Sequence, residues 1–128
     1  RYGQFKLGGK EWHEQSILAK RKNCEVCGAI YFRDVNGVKV QDAVQHIHHI
    51  FSRRFLDKWV PDMSPHASVN LMSTCGSDHG YWTANVERYL FVGDTMRFVE
   101  WVKKSDWPID RIKAAAHYYG LTTLEKFL

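Results

Sequence analysis

The sequence has no long hydrophobic run, little proline and few cysteines. No stretch of its 128 residues approaches the roughly eighteen consecutive apolar residues that a membrane helix needs. The N-terminus also lacks the charged-then-apolar pattern of a secretory signal. These absences predict a soluble, cytoplasmic protein with no membrane partner. Because residue 1 is Arg rather than Met, we also expect a processed chain or a piece of a longer one.

The sequence contains only three cysteines, so they cannot all pair as disulfides. Cys24 and Cys27 form a C-x-x-C motif, and the third is Cys75. An intracellular protein uses this spacing for metal binding or redox chemistry rather than for structural disulfides. A thioredoxin-like redox motif should lead into a helix, whereas Gly28 and a β-rich segment follow here. The pattern therefore favours a metal-binding knuckle.

Basic residues outnumber acidic ones, with a formal net charge of +4 and a sequence pI of about 9.0. Such a balance suits a polyanionic partner such as nucleic acid, although charged runs in many proteins only face solvent. The cations that we expect to contact phosphates are Arg53, Arg54, Lys103 and Lys104. Contacts of this kind position DNA without reading its sequence.

A chain of this length can close one modest core, so we expect a single compact α+β domain. Its sections are an N-terminal helical extension at 1–23, a core at 24–92 and a C-terminal helical extension at 93–128. Helices are predicted near 11–22, 77–90, 95–102 and 109–119, with β-rich segments at 29–33 and 39–47. The segment 51–69 is predicted to be a loop region, with one or two helical turns at most over 53–59. Between the two β-rich segments, Asn36 and Gly37 form a strong hairpin signal. The C-terminal segment is reminiscent of a helix-turn-helix, but a helical pair burying Trp101, Trp107 and Phe127 is favoured.

Three motifs follow one another in the middle of the chain. They are CEVCG at 24–28, VQHIHHI at 44–50 and VNLMSTCGSDH at 69–79. Their order and spacing resemble the HNH endonuclease family, over about residues 24 to 83. The family core is a β-hairpin followed by a helix around one metal ion, the ββα-metal or His-Me finger. The resemblance implies metal-dependent hydrolysis of DNA phosphodiester bonds, by nicking or double-strand cutting, in a bacterial or phage-infected cell.

The resemblance also implies roles for four residues of the second and third motifs. His49 matches the general base, and Asn70 matches the asparagine that steadies the loop and orients that base. His48 and His79 match the ligands of one catalytic divalent cation, which is Mg, Mn, Ni or Zn. Hydrolysis needs a deprotonated water and positive charge near the phosphate oxygens, and neutral imidazole accepts a proton near pH 7.

The alternation of side chains along a strand limits which of the histidines at 46, 48 and 49 can share one site. Neighbouring side chains in a strand point to opposite faces, so His48 and His49 can serve one site only if the strand ends there. His46 shares the face of His48, and is either a further site residue or an ordinary strand histidine.

Many family members hold a structural zinc with two C-x-x-C pairs, and the second pair departs from that pattern here. Asp78 stands where a fourth cysteine would be expected. A carboxylate ligates zinc at about 2.0 to 2.2 Å, so Cys24, Cys27, Cys75 and Asp78 would complete a tetrahedron. Alternatively, the fourth ligand differs, or no zinc binds and Asp78 caps the helix.

Two functions of different classes fit these motifs. The first is an HNH endonuclease with one catalytic cation, a structural zinc and no small-molecule cofactor. The alternative is a catalytically inactive zinc-knuckle module that binds nucleic acid or a protein. The presence of His49 favours the nuclease, because a binding module needs no base at that position.

Overall fold

The computed structural model describes residues 5–128, except for the side chains of residues 77–81. Helices and strands are mixed along the chain, which confirms the predicted α+β class. The elements are α1 Lys10–Leu18, β1 Phe32–Val35, β2 Val38–Gln41, β3 Gln45–His49, α2 Arg53–Trp59, β4 Leu71–Cys75, α3 Gly76–Asn85, α4 Thr95–Lys104, α5 Ile109–Tyr118 and α6 Thr122–Phe127. A 3-10 turn, Ser68–Asn70, precedes β4, and a π-helical turn, Val86–Leu90, continues α3. None of the described helices has the length and hydrophobicity required to span a membrane.

The predicted hairpin is confirmed. Strands β1 and β2 pair antiparallel around a two-residue turn, in which Asn36 and Gly37 have φ angles of 51° and 81°. Two successive positive φ angles are typical of the type I′ turn, whose twist matches that of the flanking strands. The predicted segment 39–47 is wrong as one strand, because the backbone N–H groups of Asp42 and Ala43 both donate to the Tyr31 carbonyl and turn the chain.

Strands β3 and β4 form a second antiparallel sheet, with His48 opposite Met72 and His49 opposite Leu71. All five residues of β4 are buried, and α3 begins at the residue that follows it. Helix α3 contacts both strands. The segment between the strands contains α2 and the 3-10 turn. Two antiparallel strands and the helix behind them therefore carry the second and third motifs.

The hydrophobic core is centred on Trp82 of α3, which is completely buried. Its ring centroid lies 4.3 Å from that of Trp107, 5.3 Å from that of Phe98 and 5.5 Å from that of Trp101. The C-terminal helices thus pack on α3, as predicted for the helical pair. Trp107 is buried and Trp101 half-buried, but Phe127 is 40% exposed.

Helix α1 is shorter than predicted and lies on the surface. It ends at Leu18 rather than near residue 22, and none of its residues is buried. Ile17 and Leu18 do not form a buried apolar face, since they are 51% and 68% exposed. Trp12, which is half-buried, packs against the rest of the molecule through ring contacts with His49 and His66.

Candidate functional site

The three cysteines come together at the junction of the knuckle and β4. Their sulfur atoms all lie within 4.8 Å of one another, and the Cys27 and Cys75 sulfurs are 3.7 Å apart. A tetrahedral zinc with bonds of about 2.3 Å separates its thiolates by about 3.8 Å, so this spacing fits zinc. In the part of the chain that the structure describes, no other group of three or more histidine, cysteine or carboxylate side chains is placed to hold an ion.

The backbone shapes the knuckle around Cys24. The N–H of Cys24 donates to the Ala29 carbonyl, and the N–H of Gly28 donates back to the Cys24 carbonyl. Gly28 has a φ of 78°, which a residue without a Cβ adopts most easily. The N–H groups of Val26 and Cys27 point at the Cys24 sulfur at 3.4 and 3.5 Å. Donors of this kind fix the orientation of a sulfur ligand.

Side-chain contacts hold the knuckle against β4. The N–H of Glu25 donates to the Ser73 carbonyl at 2.9 Å, and the Ser73 N–H donates to the Glu25 carboxylate at 2.7 Å. The Arg111 guanidinium pairs with the same carboxylate and donates to the Leu71 carbonyl at 2.6 Å. The Tyr31 hydroxyl bonds Ser73 Oγ at 2.7 Å, and burial raises the pKa of Tyr31 to about 12. These contacts pre-position Cys75 and the knuckle cysteines for one ion.

The fourth zinc ligand expected from the sequence is Asp78. Its side chain lies outside the described residues, as does that of His79, which is expected to bind the catalytic cation together with His48. Both residues belong to α3 and lie three and four positions after Cys75 in the sequence.

The side chain of His49, the candidate base, is half-buried at the end of β3. Its ring stacks on Trp12, with centroids 5.1 Å apart and planes 19° from parallel. Its Nε2 lies 3.0 Å from Nδ1 of His66, whose Nε2 lies 3.2 Å from the Phe5 carbonyl oxygen. His66 is 1% exposed, and this burial lowers its pKa below the usual value. A buried, neutral histidine therefore sits against the candidate base.

His48 is directed toward a different set of rings. It is 3% exposed, and its ring centroid lies 5.9 Å from that of Trp107, in the turn before α5. The different ring neighbours of His48 and His49 match the alternation of a strand. Strand β3 does end at His49, as a shared site requires. His46 is exposed, and its Nε2 would lie 3.2 Å from a Cβ added at Gly76, so it borders the first turn of α3.

Asn70 is completely buried, and its side chain links the backbone after His49 to the backbone before His66. Its Oδ1 accepts from the Phe51 N–H at 2.8 Å, and its Nδ2 donates to the carbonyls of Phe51 and Pro65 at 3.0 and 2.8 Å. Phe51 follows β3 two residues after His49, and Pro65 directly precedes His66. One amide thus joins the end of the strand to the loop that presents His66.

The cations expected at phosphates have different surroundings. Arg54 pairs with Glu87 at 3.1 Å and lies over the Phe91 ring. The guanidinium of Arg53 donates to the Phe5 carbonyl at 3.4 Å, which brings it near His66. Lys103 and Lys104 are exposed in the last turn of α4. The two lysines are therefore presented to solvent, whereas the charge of Arg54 is shared with a carboxylate.

Sequence reasoning did not identify His66 and Trp12 as site residues. Neither belongs to a motif, and His66 is 17 positions from the histidine it contacts. A usable signal did exist for His66: it is a titratable residue in the loop between two assigned residues, His49 and Asn70. Trp12 had no comparable signal, because the sequence does not show where a surface helix docks.

Two clusters of reactive side chains therefore stand out among the described residues. The thiols of Cys24, Cys27 and Cys75 fit one zinc ion, and the imidazole of His49 is held between Trp12 and His66. No family model, curated protein or solved structure matches the chain.

Proposed function

We propose that the protein is a metal-dependent HNH endonuclease that hydrolyses DNA phosphodiester bonds, by nicking or double-strand cutting. The observation that carries the proposal is the position of His49: its imidazole stands at the end of β3, oriented by Trp12 and His66. A well-placed general base contributes roughly 100- to 10,000-fold to a rate. A module that only binds its partner has no use for an imidazole held in this way.

The order of the elements supports a ββα-metal core. Strands β3 and β4 are antiparallel, and α3 follows β4 directly. In this assignment the segment that contains α2 is an insertion between the two strands. His48 and His49 then lie on the first strand, and His79 on the helix. Asn70, just before β4, takes the place of the family asparagine and anchors the backbone beyond His49.

In the proposed reaction, His49 accepts a proton from water and the water oxygen forms a bond to phosphorus. The bond from phosphorus to the leaving sugar oxygen breaks, and that oxygen leaves with the bonding electron pair and takes a proton from solvent. His48 and His79 would hold one divalent cation, either Mg, Mn, Ni or Zn. Such an ion supplies positive charge where negative charge develops on the phosphate oxygens. A site with few protein ligands keeps coordination positions open for phosphate and water.

A structural zinc completes the proposal. Three thiolates at zinc-like spacing come from Cys24, Cys27 and Cys75, and we assign Asp78 as the fourth ligand. The ion would tie the knuckle to β4 and to the first turn of α3. The proposal includes no other cofactor, and it assigns the protein to a bacterial or phage-infected cell.

DNA is the proposed partner, and the net charge of +4 is of the sign that attracts it. Of the assigned phosphate contacts, Lys103 and Lys104 face solvent and Arg53 lies beside the loop of His66. Arg54 would have to share its charge between phosphate and Glu87.

The second candidate function is an inactive zinc-knuckle module that binds nucleic acid or a protein. It is favoured by the cysteine triad, whose geometry does not depend on the histidines, and by the burial of His48 against Trp107. In this case the contacts around His49 would serve only to dock α1 on the sheet.

A plasmid-nicking assay separates the two functions. The protein is assayed with Mg, Mn, Ni or Zn, with a chelator, and as His49→Ala. We expect cleavage that the chelator abolishes and that His49→Ala lowers by roughly 100-fold or more. The matched control is His117→Ala, which removes an exposed histidine of α5 that pairs only with Glu125 in the described contacts. Equal activity of His49→Ala and the parent would reject His49 as the general base. If the protein bound DNA but cleaved it with none of these cations, the result would support the inactive binding module.

A further inference from the structure

We propose that His66 is a positioning residue for His49: it accepts a hydrogen bond from Nε2–H of His49 and so directs the lone pair on Nδ1 to the reaction. The catalytic consequence rests on the proposed nuclease function. The hydrogen bond itself does not, and it can be observed in the absence of DNA.

The direction of the hydrogen bond follows from the Phe5 carbonyl. A carbonyl oxygen can only accept, so the contact at 3.2 Å requires a proton on His66 Nε2. A neutral imidazole carries one N–H, which leaves a lone pair on His66 Nδ1. That atom lies 3.0 Å from His49 Nε2, which must therefore donate. Burial favours the neutral form of His66, because it lowers the pKa of this residue.

The opposite arrangement would place two acceptors against each other. If His66 carried its proton on Nδ1, its Nε2 lone pair would face the lone pairs of the Phe5 oxygen. His49 would then accept at Nε2 and carry its own proton on Nδ1, so neither nitrogen could take a proton from water. The contact with Phe5 thus selects the form of His49 that can act as a base.

The loop that carries His66 is held from several directions. The N–H of His66 donates to Ser64 Oγ at 3.1 Å, and the Ser64 carbonyl accepts from the Tyr119 hydroxyl at 2.7 Å. The Pro65 carbonyl accepts from the Asn70 amide. The Trp12 ring stacks on the His49 ring. The orientation of the imidazole is therefore built into the fold before any substrate binds.

This arrangement should act on the chemical step rather than on DNA binding. When His49 takes a proton, its Nε2–H bond to His66 becomes charge-assisted and strengthens. The interaction is then stronger in the transition state than in the ground state, which lowers the barrier. His66 has 1% of its surface exposed, so it does not need to touch DNA to have this effect.

Nuclear magnetic resonance of the imidazole nitrogens tests the hydrogen bond. The full chain with its bound zinc and without DNA is labelled with ¹⁵N and recorded slightly above neutral pH. We expect protonated Nε2 and unprotonated Nδ1 in both His49 and His66. His66→Leu should remove the slowly exchanging Nε2–H signal of His49. His66→Asn should retain it, because the amide oxygen can replace Nδ1 as the acceptor. A proton on Nδ1 of His66, or an unchanged His49 signal in His66→Leu, would overturn the inference.

Kinetics of DNA nicking test the consequence. We expect His66→Leu to lower kcat about 10- to 100-fold, the range for loss of a hydrogen bond to a charged group, with little change in KM. His66→Asn should recover most of that loss, and the exposed His117→Leu should match the parent. Equal kcat in His66→Leu and the parent would overturn the positioning role. A parent without nuclease activity would instead reject the proposed function, while the resonance experiment would still decide the hydrogen bond.

Discussion

The side-chain amide of Asn70 pairs with the backbone of Phe51 as a neighbouring strand would, accepting from its N–H at 2.8 Å and donating to its carbonyl at 3.0 Å. The backbone N–H of Ile50 also donates to the Asn70 carbonyl, at 2.8 Å. Three backbone groups just after His49 are thus bonded to Asn70. Because both partners are buried, the pairing is difficult to replace with water.

We expect Asn70→Ala to lower the free energy of unfolding by about 3 kcal/mol, since it leaves several buried backbone groups without their partner. Urea denaturation measures this change. Ser68→Ala is the matched control, because Ser68 is exposed in the same 3-10 turn and should shift stability by less than about 0.5 kcal/mol. A loss for Asn70→Ala as small as that of the control would show that the amide does not hold the two segments.

Metal analysis of the purified protein should find stoichiometric zinc. Cys24→Ser should lose it, because the remaining ligands cannot complete the tetrahedron. Removal of zinc with a chelator should lower the thermal midpoint, since binding to the folded state stabilises that state. Unchanged zinc content in Cys24→Ser would rule out a site built on the triad.

Asp78→Asn tests the fourth ligand separately. Loss of the carboxylate charge should weaken zinc binding, so that a competing chelator removes the ion at a lower concentration than from the parent. Asp106→Asn is the control, since Asp106 is exposed in the turn before α5. If Asp78→Asn and Asp106→Asn released zinc at the same chelator concentration, another group would have to supply the fourth position.

Arg111→Lys should destabilise the protein by about 1 to 2 kcal/mol although it keeps the charge. The guanidinium reaches both the Glu25 carboxylate and the Leu71 carbonyl, whereas an ammonium group cannot span two acceptors in the same way. Arg97→Lys is the control, because Arg97 is 72% exposed and its ion pair with Asp94 is 3.5 Å long. Equal thermal midpoints for the two variants would contradict this explanation.

The stability of the parent should fall as the pH drops below about 6.5, the ordinary pKa of histidine. Burial lowers the pKa of His66 in the folded protein, so the unfolded chain binds a proton first and unfolding becomes easier in acid. Full stability is therefore expected above that pH, with a loss of at most about 1.4 kcal/mol per pH unit below it from this group. Urea midpoints between pH 8 and 5 should fall more steeply for the parent than for His66→Asn. Parallel curves would exclude His66 as the cause.

Much of the fold could be predicted because local rules decide it. Asn36 and Gly37 favour the turn between β1 and β2, and Gly93 and Gly120 have positive φ angles where the preceding helices end. Errors occurred where no local rule applies. Two bonds to the Tyr31 carbonyl separate β2 from β3, and that contact joins residues distant in sequence.

Some features of the candidate site could likewise be predicted from the sequence, and others could not. The cysteines were predicted to act together, and the structure brings their sulfurs within reach of one ion. Asn70 bonds the backbone of Phe51 and Pro65, and its expected role in orienting the base stays a prediction. The pairing of His49 with His66 could not be predicted, because it depends on how the loop after α2 returns to the sheet.

By itself, the sequence determined which residues can do chemistry and where the chain can turn, since thiol spacing, histidine runs and glycine positions depend on local structure. Only the tertiary structure decided that His49 contacts His66 and Trp12, whereas His48 faces Trp107. Those contacts form when separate segments pack, and packing is governed by the shape and burial of the whole core rather than by neighbours along the chain.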